Sequence, residues 1–259
     1  DNLSDLRQTL ASCCCQIISQ QLNMQISIID SSQDHVSVIS LTEGFARTHP
    51  RNLISLDHLF PAPGIYRSMN YAISKTVSDA LIFMNSGDTF YDNASLNELA
   101  LTLMNANAQR ERIACVFGQT EFRAYSSRLT WINPSESQHL IAQWLRYYYP
   151  CHQSVLFASK WAKNNLYSTD SGNASDGIVI RRALSSHSIQ YVAKPVSCFY
   201  LNGISSRPKP LNLSICSVLK CCRHNRIDLL KSVVSPPWLP NLLPLFSFVR
   251  YILLKPPIY

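Results

Sequence analysis

Residues 63–92 most constrain what this chain can fold into, because a helix pattern there is followed by a strand pattern and a polar turn. Four apolar side chains, spaced four residues apart, predict the buried face of a helix: Ile65, Met69, Ile73 and Val77. The apolar run at 80–84 predicts a short buried strand, and Asn-Ser-Gly-Asp follows at 85–88. Open α/β sheets bind ligands at the carboxyl ends of their strands. The segment therefore predicts an α/β fold in which Asp88 is placed to hold a ligand.

The same alternation extends to both sides of this segment. Residues 25–30 predict a strand that ends in the carboxylate of Asp30, and residues 115–118 predict another buried strand. Asn93 can cap a helix that carries Leu96, Leu99, Leu103 and Met104. Strands that alternate with helices predict a mostly parallel central sheet flanked by helices. Between 36 and 61 the pattern is weak, and only a connecting region is expected there.

Composition divides the chain into two parts. With 259 residues and 46% apolar residues, the chain can bury one sizeable core. Residues 1–206 contain 15 basic and 15 acidic residues, whereas 207–259 contain eight basic residues and only Asp228 as an acid. We expect a domain at 1–206 and a basic, apolar-ended helical tail at 207–259. Such a tail fits an anionic membrane surface, and it lacks a motif for reading nucleic acid, so no nucleic-acid partner is expected.

The cysteines and the first helix add two further expectations. Nine cysteines occur without any C-x-x-C pair, which is typical of reduced thiols in a cytosol rather than of a disulfide framework or a zinc site. Ser4 can cap the first predicted helix, and no strand pattern precedes it. We expect a cytoplasmic protein whose tail lies at the inner face of the plasma membrane.

Several short segments between about residues 4 and 206 resemble, in order and spacing, the family 2 glycosyltransferases of GT-A fold, in particular bacterial polysaccharide and lipopolysaccharide enzymes. The matching segments are 25–34, Gly64-Ile65-Tyr66-Arg67-Ser68-Met69-Asn70, Asn85-Ser86-Gly87-Asp88, Pro150-Cys151-His152-Gln153-Ser154, 172–177 and 198–205. In that family the helix at residue 4 follows a first strand, so that strand is expected to be missing or displaced here. Arg67 replaces a usual acidic residue, and Gly87 replaces one carboxylate of a pair.

The resemblance implies a role for each candidate residue. Asp88 would hold a divalent cation, Mn²⁺ or Mg²⁺, and Asp176 would be the catalytic base. The nucleotide sugar would be bound by Asp30, Arg67, Asn70, Asn85 and Ser86. The acceptor or the transferred sugar would contact His152 and Gln153.

The resemblance also implies the reaction. A sugar would pass, with inversion, from a nucleoside diphosphate sugar, most simply a UDP-sugar, to a hydroxyl of a glycan or lipid-linked acceptor. Structural explanations remain open for the same residues: Asp30 and Asp88 as turn formers, Asp176 as a helix cap, His152 as a core histidine and Arg67 as a solvated charge. A relative that binds nucleotide without turnover, and a tail that serves nucleic acid, are the competing functions.

Overall fold

A computed structural model describes residues 3–61, 63–109, 112–123, 130–146, 148–170, 175–186 and 188–201. The predicted tail at 207–259 lies outside the described residues. Seven α-helices are described: α1 (Leu3–Cys14), α2 (His35–Thr48), α3 (Ile65–Lys75), α4 (Ser95–Ala108), α5 (Ile141–Leu145), α6 (Ser159–Lys163) and α7 (Ser175–Ser186). Eight strands are described: β1 (Gln25–Asp30), β2 (Leu53–His58), β3 (Ala80–Ile82), β4 (Thr89–Phe90), β5 (Ile113–Arg123), β6 (Thr130–Asn133), β7 (Val155–Ala158) and β8 (Ser188–Tyr200). A short 3₁₀ helix covers His152–Ser154.

The strands form two sheets rather than one mostly parallel sheet. β1 and β2 pair in parallel, with Gln25 opposite Leu53 and Asp30 opposite His58. The larger sheet has the order β3-β7-β5-β8-β4, with β6 paired to β5. Its β3–β7, β5–β7 and β4–β8 pairs are antiparallel. The expectation of a mostly parallel sheet is therefore wrong for these pairs, because strand direction depends on connections that a local pattern does not reveal. The α/β class with helices around a sheet is confirmed.

Two elements lie where the sequence predicted only a connection. α2 and β2 fill residues 35–58, and the Asp34 side chain caps α2 by accepting a hydrogen bond from Ser37 N at 3.2 Å. Aspartate is a favoured N-cap, so Asp34 was the signal for this helix. Asn93 does not cap the next helix, since Asp92 Oδ1 there accepts hydrogen bonds from Ala94 N and Ser95 Oγ.

The helix and strand of the segment 63–92 are both shorter than predicted. α3 ends at Lys75, so that Met69 and Ile73 are buried whereas Val77 is 91% exposed. β3 has three partly buried residues because it stands at one end of the larger sheet. A cavity of about 1610 Å³ lies between β3 and the alternate β1 residues Gln25, Ser27 and Ile29. Within the described ranges, no strand joins the two sheets.

The larger sheet is packed on both faces. Alternate residues of β5 and β7 point to opposite faces, as the strand period requires. Val116 and Leu156 pack with Leu99 and Leu103 of α4. The opposite face packs against α3, α6 and α7 through a larger cluster that includes Phe117, Val155, Phe157, Ile73, Trp161 and Ile180. A third cluster joins α1, α2 and β1 through Leu10, Ile28, Leu41 and Phe45. Helices thus cover both faces of the larger sheet.

The chain divides into two compact units. The first comprises Asp1–Glu121 and Ile132–Phe199, and the second comprises Phe122–Trp131 and Tyr200–Tyr259. All nine predicted site residues belong to the first unit. Within the described part of the chain, no helix is long and apolar enough to cross a membrane.

Replacing Ile73 with alanine should lower the free energy of unfolding by about 2–5 kcal/mol, because Ile73 is 1% exposed and its loss leaves a cavity. Val77→Ala is the matched control: it belongs to the same sequence stripe but is 91% exposed, so a change within about 0.5 kcal/mol is expected. Urea unfolding of both variants measures the difference. Equal destabilisation would contradict the observed end of α3.

Candidate functional site

The loop after β3 is shaped by a hydroxyl from α1. Thr9 Oγ1 donates to the backbone oxygen of Asp88 at 2.8 Å and accepts from Gly87 N at 2.9 Å. Gly87 has φ of 102°, a left-handed conformation that other residues rarely adopt. The glycine that replaces a carboxylate is therefore required by the backbone of this turn, and α1 fixes the position from which the Asp88 side chain leaves.

The Asp88 side chain lies in a buried polar chain with the segment before β7. Asp88 is 6% exposed, and its Oδ2 accepts a hydrogen bond from Gln153 Nε2 at 2.8 Å. Gln153 Oε1 in turn accepts from Cys151 Sγ at 2.9 Å. Gln153 is 3% exposed, and its side chain orients the Asp88 carboxylate. Its predicted contact with the acceptor stays a prediction.

Asp176 stands in the first turn of α7. Its Oδ1 accepts from Gly177 N at 2.7 Å and from Tyr66 OH at 3.4 Å. Burial raises the pKa of Asp176, and these hydrogen bonds offset part of that rise. A carboxylate with a raised pKa is a better proton acceptor than an ordinary one, which suits a general base.

A row of aromatic groups connects Asp176 with the 3₁₀ helix. The rings of Tyr66 and Tyr167 stack with centroids 5.7 Å apart, and Tyr167 OH lies 2.6 Å from His152 Nε2. Burial and the Asp176 charge raise the pKa of Tyr66 to about 12, so its hydroxyl remains a hydrogen-bond donor at neutral pH. Asn70 holds the Tyr167 backbone, accepting from its N–H and donating to its C=O at 2.9 Å each. Asn70 therefore positions Tyr167, while its predicted contact with the nucleotide sugar stays a prediction.

The two predicted acids approach the same short segment. The His152 ring contacts the Tyr167 hydroxyl, the Tyr167 ring stacks on Tyr66, and the Tyr66 hydroxyl donates to Asp176. The next residue, Gln153, donates a hydrogen bond to Asp88. Burial raises the pKa of the Cys151 thiol to about 12, and the charges of Asp88 and Asp176 both contribute to the rise. The metal and base candidates are thus connected to neighbouring residues, Asp88 directly to Gln153 and Asp176 to His152 through Tyr66 and Tyr167.

His152 is a core residue in this arrangement. It is 5% exposed, and its ring packs against Phe83 and Phe157 at centroid distances of 5.5 and 6.0 Å. Burial lowers the pKa of His152 to about 4, so the imidazole is neutral at pH 7. This packing agrees with the interpretation of His152 as a core histidine. Through its contact with the Tyr167 hydroxyl, His152 also orients Tyr167.

Asp30 ends β1 and meets two histidines that the sequence patterns did not single out. Its Oδ2 lies 2.6 Å from His35 Nδ1 and 3.1 Å from His58 Nδ1, while Oδ1 accepts from Ser32 N at 2.9 Å. Burial acts to raise the pKa of Asp30, but the hydrogen bonds from Ser32, His35 and His58 outweigh it and lower the pKa below its usual value. Asp30 is thus an ionised carboxylate at neutral pH.

The remaining candidates are exposed. Asn85 and Ser86 line the cavity between β1 and β3, and Arg67 lies exposed in the first turns of α3. No described contact joins these three side chains to Asp88 or Asp176. Their predicted contacts with a nucleotide sugar stay predictions.

The residues around the 85–88 loop fit an oxygen-seeking cation. Mg²⁺ and Mn²⁺ prefer carboxylate, phosphate and water oxygens. Asp88 supplies one carboxylate, and a Cβ on Gly87 would lie 3.8 Å from Asp5 Oδ2. The Asp5 carboxylate thus approaches the place where the family pattern has the acid that Gly87 replaces. Asp5 was missed because its contact with the loop is visible only after α1 packs against β4.

Solved structures of glycosyltransferases share the fold of this chain. Mannosyltransferase PcManGT from Pyrobaculum calidifontis, in complex with GDP-Man and Mn²⁺, matches with a TM-score of 0.59 and 13% identity. The match covers 100% of this chain and 74% of the PcManGT chain. TarS 1–349 from S. aureus matches with a TM-score of 0.58 and 14% identity, and the match covers 99% of this chain and 72% of the TarS 1–349 chain. The chain has the GT-A fold. No protein-family model and no curated protein sequence matches it.

Other GT-A neighbours are longer than this chain or match only part of it. A longer TarS structure matches with a TM-score of 0.56 and 11% identity, and the chain spans 41% of that protein. GalNAc-T7, solved with UDP, GalNAc and Mn²⁺, matches 77% of this chain with a TM-score of 0.54. TarS 1–349 is also solved in complex with UDP. At these identities, the likeness establishes the GT-A fold.

Replacing Asn70 with alanine should destabilise the protein by about 1–3 kcal/mol, because the backbone N–H and C=O of Tyr167 lose their partners. Asn164→Ala is the control, since the exposed Asn164 side chain makes one hydrogen bond inside its own turn. Thermal or urea unfolding compares the two. A loss no larger than that of the control would contradict the positioning part of Asn70.

Proposed function

We propose that this chain is an inverting glycosyltransferase that moves a sugar from a nucleoside diphosphate sugar, in the first instance a UDP-sugar, to an acceptor hydroxyl. The observation that carries the proposal is that Asp88 is hydrogen-bonded to Gln153, while the neighbouring His152 is connected through Tyr167 and Tyr66 to Asp176. Solved neighbours of the same fold that hold UDP, or GDP-Man with Mn²⁺, support this choice of reaction.

Asp176 is the proposed base. It accepts the proton of the attacking hydroxyl while that oxygen bonds to the anomeric carbon and the nucleoside diphosphate leaves from the opposite face. Gly177 N and Tyr66 OH hold its Oδ1, which leaves the carboxylate oriented by two donors. A general base of this kind contributes about 10²–10⁴ in rate.

Asp88, with Asp5 beside the same loop, is proposed to hold Mn²⁺ or Mg²⁺, and such a cation offsets the charge of the departing diphosphate. Gln153 keeps the Asp88 carboxylate in one orientation through its 2.8 Å hydrogen bond. Asp30, Arg67, Asn70, Asn85 and Ser86 are the proposed contacts to the nucleotide sugar.

The acceptor is proposed to be a glycan or a lipid-linked glycan in cell-surface polysaccharide synthesis, with His152 and Gln153 bordering the acceptor side. The basic tail at 207–259 supports a peripheral attachment to the anionic inner face of the plasma membrane. A cytoplasmic location accords with the described cysteines, which are free thiols.

Asp176→Asn should lower turnover about 10²–10⁴-fold, since asparagine cannot accept the proton. Asp170→Asn, a nearby exposed carboxylate, should leave turnover unchanged. The measurement is release of nucleoside diphosphate from a panel of UDP- and GDP-sugars with Mn²⁺, with and without acceptor glycans. Unchanged turnover in both Asp176→Asn and Asp88→Asn would reject the site.

Tyr66→Phe should move the acidic limb of the kcat profile to higher pH. The hydrogen bond from Tyr66 lowers the pKa of Asp176, so its removal raises that pKa and the base becomes deprotonated only at higher pH. Tyr71→Phe on the same helix is the control, and its profile should match the wild type. A limb that stays in place or moves to lower pH would contradict the contact between Tyr66 and the base.

A binding protein without turnover is the second candidate, favoured by Gly87 in place of a carboxylate. In that case calorimetry would detect UDP binding in the wild type while no sugar donor is consumed with any acceptor. Donor consumption that depends on Asp176 excludes it.

A further inference from the structure

Three groups with metal-ligating atoms converge at the carboxyl end of β1. Asp30 is the last residue of β1, and His58, the last residue of β2, is its partner in the parallel register. His35 is the first residue of α2, five positions after Asp30. Three different elements thus bring one carboxylate and two imidazoles together, with ligand atoms within 4.8 Å of one another.

The orientation of these groups is set by their neighbours. Ser32 N holds Asp30 Oδ1, which directs Oδ2 toward both imidazole Nδ1 atoms. The rings of His35 and His58 stack with centroids 3.8 Å apart, and Phe60 stacks on His58 at 6.0 Å. Ring stacking and the hydrogen bond from Ser32 N limit the freedom of the three ligands before an ion arrives.

The spacing is close to that of a small tetrahedral ion. Zinc bonds of about 2.0–2.1 Å to nitrogen and oxygen place neighbouring ligand atoms roughly 3.3 Å apart. The His58 distance of 3.1 Å already agrees, whereas His35, at 2.6 Å, must swing outward slightly. Both histidine side chains are about a quarter exposed, at 28% and 27%, so His35 can move and an ion can enter.

Ligand chemistry selects the class of ion. Two imidazole nitrogens and one carboxylate oxygen favour Zn²⁺ and similar transition metals over Mg²⁺ and Ca²⁺, which prefer all-oxygen sites. We propose that Asp30, His35 and His58 form a binding site for Zn²⁺ or a like transition-metal ion, with a fourth position open to water or an anionic ligand. Binding replaces the two Nδ1–Oδ2 hydrogen bonds by metal bonds, and each neutral imidazole then carries its proton on Nε2.

This site shares Asp30 with the proposed nucleotide-sugar contacts, but it takes a different class of ion from the oxygen-seeking cation proposed at Asp88. The test therefore uses metal alone, without nucleotide or acceptor. The chelator-treated chain, with accessible thiols alkylated so that cysteines do not bind, is titrated with Zn²⁺ against a chromophoric chelator. Co²⁺ is added in parallel, because its visible absorption reports tetrahedral nitrogen and oxygen ligation.

The informative variants are His35→Asn and His58→Asn. Asparagine can still donate a hydrogen bond to Asp30 but is a poor zinc ligand, so the triad can remain folded while the ion is lost. Each single variant should weaken Zn²⁺ binding at least 10-fold. The double variant should bind one equivalent of Zn²⁺ fewer than the wild type and should lose the tetrahedral Co²⁺ spectrum. His139→Asn, an exposed histidine near Ser137, is the control and should bind as the wild type does.

Circular dichroism and urea midpoints identify any variant that has lost its fold. Zn²⁺ binding by each folded single variant, His35→Asn or His58→Asn, is then compared with that of the wild type. Equal Zn²⁺ uptake by the wild type and the folded variants would overturn the proposal and leave Asp30 as the centre of a hydrogen-bonded triad. Loss of one equivalent in the variants supports it whether or not the chain transfers sugar.

Discussion

The hydrogen bond from Gln153 Nε2 to Asp88 Oδ2 is the interaction on which the rest of the candidate site depends. Both side chains are nearly buried, and a buried carboxylate that loses a hydrogen-bond partner costs about 1–3 kcal/mol or more. The bond therefore strongly favours one relative position of the loop after β3 and the segment before β7. The orientation of the Asp88 carboxylate follows from it.

Buried hydroxyls support this segment from the side of the sheet. Ser154, next to Gln153, hydrogen-bonds with Thr120 of β5 and with Ser197 of β8, the latter at 2.6 Å. All three side chains are 0% exposed, so their polar atoms pair with one another instead of with water. Small hydroxyl side chains at these positions let the 3₁₀ helix lie against β5 and β8. The 3₁₀ helix is thus held to the sheet by polar contacts and by the packing of His152 on Phe83 and Phe157.

Local patterns predicted more of the elements than of their contacts. β1 has the predicted bounds, because hydrophobic period is a property of a few neighbouring residues. The α2–β2 unit was missed although Asp34 caps it, since weak periodicity outweighed one capping signal. Likewise, the short length of β3 reflects its place at the end of the larger sheet, which no pattern within residues 80–84 records.

The sequence by itself determined the α/β class, the position of Asp30 at the end of β1 and the polar turn at residues 85–88 after an apolar strand, because hydrophobic period and turn chemistry act over a few residues. Only the tertiary structure decided what these acids meet. Tyr66 reaches Asp176 across 110 residues, Gln153 reaches Asp88 across 65, and His58 reaches Asp30 across 28. Contacts at such separations arise from how the sheets and helices pack, so His152 became a core residue and the two histidines at Asp30 became visible only in the folded chain.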